Sequence, residues 1–284
     1  MTAPVPPVPT ESTRWRARLA LAFARQQQRS VLVSNRHSGP LRVQKPLYPE
    51  GASVCHAIIL HPPAGIVGGD ALDISIELAT GAHALLTTPG AGKWYRSAGP
   101  SATLVQTLQV ADGAICEWLP QETLIFNGAV GEQTTVITLA PDAGCIGIEM
   151  LCFGRTASGE RFTRGDFSLR TQIVQGKQTL WLERGRVTGS SPLLDSPVGL
   201  DGQPVTGTLW AVGRKVDAAL RDACRTVEPE IGIGAVTLLP GGVLLARWLG
   251  PACEPGRHWF TQLWAIVRPA LSGRPAVVPR IWNT

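Results

Sequence analysis

Three glutamates stand inside stretches that are otherwise apolar. Glu117 lies in Ile115-Cys116-Glu117-Trp118-Leu119, Glu149 in Cys145-Ile146-Gly147-Ile148-Glu149-Met150-Leu151-Cys152, and Glu183 in Thr179-Leu180-Trp181-Leu182-Glu183-Arg184. A carboxylate flanked this way is at least partly buried, and a buried carboxylate needs a partner, a metal or a proton. One outcome is pairing with one of the 22 arginines, for Glu183 with Arg184, Arg186 or a neighbouring strand. The other is that several carboxylates face one interior and form an acidic passage for a divalent cation.

A second constellation is His61-Pro62-Pro63-Ala64-Gly65-Ile66-Val67-Gly68-Gly69-Asp70. Tandem prolines followed by three glycines exclude a regular strand or helix, and the glycines permit positive φ and close backbone approach. The loop brings His61 and Asp70 near each other, but one His and one Asp do not make a metal site. Cys55 and His61 share a face of the strand that leads into it, yet at ~3.3 Å per residue they stand about 20 Å apart. His56 points to the opposite face. A preformed tight Zn or Ni centre does not fit this stretch. A weak, transient metal path does, because neutral imidazole and carboxylate both suit Ni²⁺.

Thr88-Pro89-Gly90-Ala91-Gly92-Lys93 looks like the end of a phosphate loop and fails on spacing. The first glycine of G-x-x-x-x-G-K-[ST] would fall on Thr87, and the residue after Lys93 is Trp94, which has no hydroxyl for Mg²⁺. The group Lys93-Trp94-Tyr95-Arg96 reads instead as a protein-contact patch. There is no G-x-S-x-G, and none of the five histidines (37, 56, 61, 83, 258) pairs visibly with a nucleophile.

These groups have to be positioned by the surrounding elements. From residue 15 to about 200 the chain is a series of short apolar or alternating runs bounded by Gly, Pro, Asn or Asp, including Val54–Leu60, Leu72–Leu78, Thr103–Val110, Gln133–Leu139 and Phe167–Val174. Trp15–Ala24 has helix-favouring composition, but its large apolar side chains fall on odd positions, so strand periodicity is expected. No helical patterns of 10–15 residues separate the runs, which excludes a doubly wound α/β fold. The fold class expected is all-β dominated, as stacked sheets or a β-helix-like coil of many short strands. Two helices are expected late, over Arg214–Val227 and over His258–Val267, the second ended by Pro269. Ile231–Leu239 and Val243–Leu249, split by Pro240-Gly241-Gly242, read as a hairpin. No internal repeat of fixed period is visible. Met1–Thr13, with four prolines, reads as a disordered tail, and residues 14–284 as a single domain.

Composition narrows the function classes. Charged residues make up 17% of the 284, below the usual ~25%, which points to two-sided burial or partner-covered surface. The net charge is +5, but the arginines are scattered without aromatic interleaving, which disfavours nucleic acid. No run reaches the ~18 apolar residues of a membrane span. The apolar Leu19–Ala24 is too short for a signal peptide, so a cytoplasmic protein is expected. Six widely spread cysteines without C-x-x-C read as small buried hydrophobes.

Six blocks in order resemble the urease accessory protein D family, called the H protein in some bacteria. They are Gly39-Pro40-Leu41-Arg42-Val43-Gln44-Lys45-Pro46-Leu47-Tyr48-Pro49-Glu50; Cys55-His56 with Leu60 through Asp70; Thr88 through Ser97; Glu117 through Glu122; Gly154-Arg155-Thr156 with Gly159-Glu160; and Pro279 through Thr284. The resemblance covers nearly the whole chain after the tail. It implies a mainly β fold with two helices and a non-enzymatic maturation chaperone. Such a protein works with the F accessory protein and the nickel-carrying GTPase G to load nickel into apo-urease. It also implies an internal tunnel for transient Ni²⁺, with no tightly bound cofactor. On that role Asp70, Glu149 and Glu183 are the acids in matching blocks, with Glu160 as a further candidate. Four departures thin the blocks: Ala71 after Asp70, Gly92, Ala64 and Asn127. A purely structural adaptor that never touches nickel is the other reading.

Overall fold

The structure, a computed structural model, describes residues 15–283, and the tail expected over Met1–Thr13 lies outside them. Seventeen strands run in the order β1 (Arg16–Gln26), β2 (Arg29–Ser38), β3 (Arg42–Val43), β4 (Cys55–Leu60), β5 (Ala71–Leu78), β6 (His83–Thr87), β7 (Gly92–Trp94), β8 (Ala102–Val110), β9 (Ile115–Trp118), β10 (Thr123–Ile125), β11 (Val130–Leu139), β12 (Gly144–Phe153), β13 (Asp166–Gln175), β14 (Gln178–Thr188), β15 (Val205–Val212), β16 (Ile233–Leu238) and β17 (Val243–Gly250). Two α-helices, α1 (Ala218–Arg225) and α2 (Cys253–Ser272), lie in the C-terminal third.

The expected strand character of residues 15–24 is realised in β1, where Ala17, Leu19, Leu21 and Phe23 alternate inward. Each large side chain buried this way contributes about 1.5–3 kcal/mol, which outweighs the helix propensity of Ala and Arg. The strands form two sheets, ordered β14-β13-β11-β8-β5-β1-β2 and β16-β17-β15-β12-β9-β6-β4-β3, with β10 and β7 appended through β12. Between β4 and β13 the chain shuttles from one sheet to the other. Each return lays a strand parallel to its predecessor: β5, β8, β11 and β13 in the first sheet, β4, β6, β9 and β12 in the second. This is the stacked coil expected from the runs of short strands, and antiparallel strands close it at both ends.

One corner of the coil is a stack of related turns, Ala79-Thr80-Gly81-Ala82, Ala111-Asp112-Gly113-Ala114 and Ala140-Pro141-Asp142-Ala143. In each, the fourth residue donates its N–H to the carbonyl of the first, and Gly81 and Gly113 donate to Asp112 and Asp142 of the next turn. Both glycines have positive φ, where a side chain would be strained. The spacing from turn to turn is unequal, so this repeat has no fixed period to find in the sequence.

The second sheet is the middle layer. Its Ala57, Leu86, Cys116, Cys145 and Trp210 meet the first sheet. Its opposite face, with Ile146, Ile148, Leu209 and Trp248, packs on Leu220 and Cys224 of α1 and on Trp259, Phe260, Leu263, Trp264 and Val267 of α2. The hairpin expected over 231–249 is β16–β17. The helices differ from expectation at their ends. α1 starts only at Ala218, because the Asp217 side chain caps it by accepting from Leu220 N at 2.9 Å. α2 begins five residues before His258, since Pro255 falls in the first turn where no N–H is missed. Pro269 does not end it. In the last turn its missing N–H leaves only one carbonyl unpaired, and the helix stops at Gly273, which is left-handed (φ 67°) and donates to Pro269 O.

Candidate functional site

The inward positions of the first sheet are mostly apolar, but one transverse row is polar and Gln133 of β11 stands beside it. Gln106 of β8, Thr135 of β11, Thr171 of β13 and Glu183 of β14 are register neighbours on four successive strands, all on the inward phase. The second sheet answers with a row of its own, Glu149 of β12, Thr208 of β15 and Arg247 of β17, facing the first sheet. The two rows make a polar seam through an otherwise apolar interface. Thr135 donates to Gln106 Oε1 at 2.7 Å. Glu149 bridges the sheets, accepting from Gln133 Nε2 at 2.7 Å and from the Thr171 hydroxyl at 3.2 Å. At the edge, Arg247 donates to Glu183 at 2.6 Å.

The seam opens at its other end into a cavity of about 520 Å³, walled by apolar side chains such as Ile59, Ile74, Leu104 and Trp118 and carrying His61, Lys93, Gln106, Gln133 and Glu149 among its polar groups. The part of Glu149 that solvent can still reach faces this cavity. Burial raises its carboxyl from the ordinary 4.5 to about 7. The hydrogen bonds from Gln133 and Thr171 oppose the rise, and the neighbouring Glu183 charge adds to it. Among the described residues no arginine or lysine pairs with Glu149, so its carboxyl is raised toward neutrality at the wall of a largely apolar cavity. His61, at the cavity wall, is held below its usual range by burial, which the nearby Asp70 partly offsets.

The sequence-derived acids divide. Glu149 and Glu183 stand in one seam. Glu183 pairs with Arg247 across the interface instead of Arg184 or Arg186, because it points inward and Arg186 is taken by Asp166. Asp70 is 7% exposed and serves its own loop, accepting from Val67 N at 2.9 Å and Trp15 N at 3.2 Å. Glu160 accepts from Arg155 and from Asn127 N, and lies at a separate cavity of about 220 Å³. Neither lines the main cavity. Among the described residues no three His, Cys, Asp or Glu side chains converge as a metal cluster.

The contact patch expected at Lys93-Trp94-Tyr95-Arg96 is corrected at Trp94. It is 2% exposed, packs edge-to-face on Phe167 at 5.0 Å and covers Gly131, where a Cβ would lie 2.4 Å from its ring. Alternation along β7 sends Trp94 inward, and only Arg96 of the four is fully outside. Tyr95 covers Gly65 and meets Phe126, and Lys93 lines the cavity. The sequence reading missed Gln106, Gln133, Thr135, Thr171 and Arg247. The signal available was their phase, since polar residues occupy core positions of alternating strands.

Glu117 has the opposite fate. It faces the helices and is fully buried, meeting His83 at 2.7 Å, Trp264 Nε1 at 2.7 Å and Arg268 at 3.0 Å. Arg268 also reaches Glu50, which binds His56 at 2.6 Å. Burial opposes both ionised carboxylates, but the hydrogen bonds and charges of His83, His56 and Arg268 outweigh it and hold both below 4.5. This cluster fastens α2 to the middle sheet.

A β-coil of two stacked sheets, backed by helices on one side and holding a polar seam around a carboxylate with no cationic partner among the described residues, is the class of protein these observations define. The chain belongs to the UreD urease accessory protein family, whose model matches residues 16–283. It is 62% identical over 270 residues to the urease accessory protein UreD of Azoarcus sp. (strain BH72), covering 95% of this chain and 94% of the relative. It is 52% identical over 283 residues to UreD of Dechloromonas aromatica (strain RCB), with 97% of each chain covered, and 50% identical over 270 residues to UreD of Pseudomonas fluorescens (strain Pf0-1), with 95% of each covered. The resemblance read from the six motif blocks is borne out, and with it a role in urease maturation. No helix among the described residues is long and apolar enough to cross a membrane.

Proposed function

We propose that this chain is a non-enzymatic nickel chaperone that passes Ni²⁺ to the apo-urease active site through the seam between its sheets. It acts in the cytoplasm, in a complex with the F accessory protein, the GTPase G and apo-urease. The observation that carries the reading is Glu149, a carboxylate at the wall of the cavity that, among the described residues, accepts only from an amide and a hydroxyl. A divalent cation meets there one carboxylate, amide and hydroxyl oxygens and, at the cavity wall, the His61 imidazole, all acceptable to Ni²⁺. One carboxylate with neutral oxygens binds weakly, and weakness suits transfer, since a closed cage would trap the ion. Asp70 and Glu160 act in this scheme by holding the loops at the edges of the coil rather than as stops for the ion.

The test is co-expression of the Glu149→Ala chain with the other accessory proteins and urease. We expect it to co-purify with the F protein and apo-urease while nickel content and urease activity fall at least several-fold. Normal nickel loading by a chain that still binds its partners would sink the conduit and leave the structural adaptor.

A further inference from the structure

Among the described residues neither helix packs on the outward face of the first sheet. Six register neighbours on successive strands form one row across that face: Arg18 of β1, Asp73 of β5, Val105 of β8, Thr134 of β11, Arg170 of β13 and Arg184 of β14. The row is balanced at one end only. Arg18 meets Asp73 at 3.6 Å. At the other end two arginines stand directly opposite each other, their Cβ atoms about 4.5–5.5 Å apart, and like charges so placed destabilise a sheet. No carboxylate among the described residues pairs with either. At the next outward position of β14, Arg186 shows what is missing. Asp166 holds it by two bonds, from Nε to Oδ1 at 2.9 Å and from Nη2 to Oδ2 at 2.5 Å. Arg170 is half-buried and set in place. Its Nη2 donates to Gln172 Oε1 at 2.7 Å, Gln172 Nε2 donates in turn to Thr179 Oγ1 at 3.2 Å, and the buried Nε of Arg170 has no partner. Arg184 is exposed beside it, and the adjoining outward residue of β14 is Leu182, 42% exposed.

We propose that the outward face over β13 and β14 docks an extended acidic segment of a partner protein, with Arg170 and Arg184 as its carboxylate clamp. A carboxylate seated between the two guanidinium groups separates their charges and accepts from both, the geometry that the planar fork of arginine favours. In an extended segment alternate side chains fall on one side, about 6.6–7 Å apart, which is also the spacing of Arg184 and Leu182 along β14. An apolar side chain two residues from the carboxylate therefore meets Leu182. The neighbours select carboxylate over a nucleic-acid phosphate. The outward positions around the pair hold Thr, Val, Ser and Gln and no aromatic ring, so bases have nothing to stack on. Asp166 and the exposed Glu132 of β11 flank the pair and repel a continuous phosphate backbone, whereas a segment with its carboxylates only opposite the arginines avoids both. This face lies on the other side of the first sheet from the seam, so the proposal stands without the nickel reading.

The experiment uses the full-length protein and a fluorescein-labelled peptide, Gly-Thr-Glu-Thr-Glu-Thr-Leu-Thr-Gly, whose glutamates and leucine share one side when extended. Binding is read by fluorescence anisotropy, and a version with benzophenylalanine in place of the leucine maps the contact by photo-crosslinking. The expected result is binding that weakens with added salt, adducts confined to β13 and β14, and an affinity about tenfold lower for the double variant Arg170→Gln/Arg184→Gln. Arg36→Gln, exposed on β2 at the far edge of the same sheet, leaves the affinity within about twofold of wild type. Arg184→Glu places the missing carboxylate on the sheet itself, so it abolishes binding without lowering the melting temperature. No binding, equal binding by the double variant, or adducts elsewhere overturns the proposal. Tighter binding of oligothymidylate than of the peptide, lost in the same double variant, overturns the assignment to an acidic protein segment. A lowered melting temperature in Arg184→Glu overturns the claim that the pair lacks an acid.

Discussion

Glu149→Gln isolates the electrostatics of the seam from its shape. The amide fits the same bonds, its oxygen accepting from Gln133 and its NH₂ donating to the Thr171 hydroxyl, which can accept as well as donate. What it removes is the ionisation. A carboxyl at 4.5 in the unfolded chain and about 7 in the folded one binds its proton more tightly when folded. Its stabilising contribution is therefore fully present below pH 4.5 and is lost as pH rises through 7. The full loss is about 3 kcal/mol, an upper figure because the carboxylate faces a cavity that water can enter. The difference in stability between Glu149→Gln and the wild type should therefore grow by up to ~3 kcal/mol between pH 4.5 and pH 8, the variant being the more stable at high pH. At roughly 2–4 °C per kcal/mol for a chain of this size, that is a melting difference of about 6–12 °C. Urea denaturation with EDTA present, at half-unit steps from pH 5 to 8, reads it directly. Parallel stability profiles for the two proteins would refute the reasoning, because Glu149 would then ionise as readily in the fold as in water.

Two further outcomes follow from the packing. Arg268→Ala leaves Glu117 and Glu50 buried without their cation and should cost about 3–5 kcal/mol in urea unfolding, whereas an exposed-pair arginine such as Arg161 should cost under ~1 kcal/mol. Trp94→Ala empties the space over Gly131 and beside Phe167 and should cost about 3–5 kcal/mol, while Arg96→Ala, two residues away and exposed, should leave the unfolding midpoint within ~0.5 kcal/mol of wild type.

The coil was legible because its signal is local. Alternation in β1 and the short bounded runs report burial one strand at a time, and the helix faces of Trp259, Phe260, Leu263, Trp264 and Val267 obey a period that needs no knowledge of neighbours. The seam was only half legible because it is a property of register. Gln106, Thr135, Thr171 and Glu183 are separated by 29, 36 and 12 residues and become one row only when four strands align. The Glu183–Arg247 pair spans 64 residues and two sheets, so the local arginines 184 and 186 were the nearer and wrong candidates. The helix ends were misjudged for a local reason. Pro255 and Pro269 break the pattern expected of a helix interior, and both sit in terminal turns that tolerate them.

Glu117 and Glu149 show what the sequence pattern cannot separate and why the separation matters. Both stand in apolar strands, and β9 and β12 are neighbours in the same sheet. Glu117 falls on the phase that faces α2, where Arg268 and His83 hold it ionised, and its burial is a fastening. Glu149 falls on the other phase, where it receives an amide and a hydroxyl but no cation, and it is pushed toward its neutral form. A chain with 22 arginines has the means to pair a buried acid, and at the seam's edge Arg247 does so for Glu183. That no basic residue among the described ones pairs with Glu149 is unfavourable for stability taken alone. The cost is intelligible if the seam has to admit a cation that the protein does not itself carry, and on that reading the helix-facing layer of paired charges is what lets the fold tolerate it.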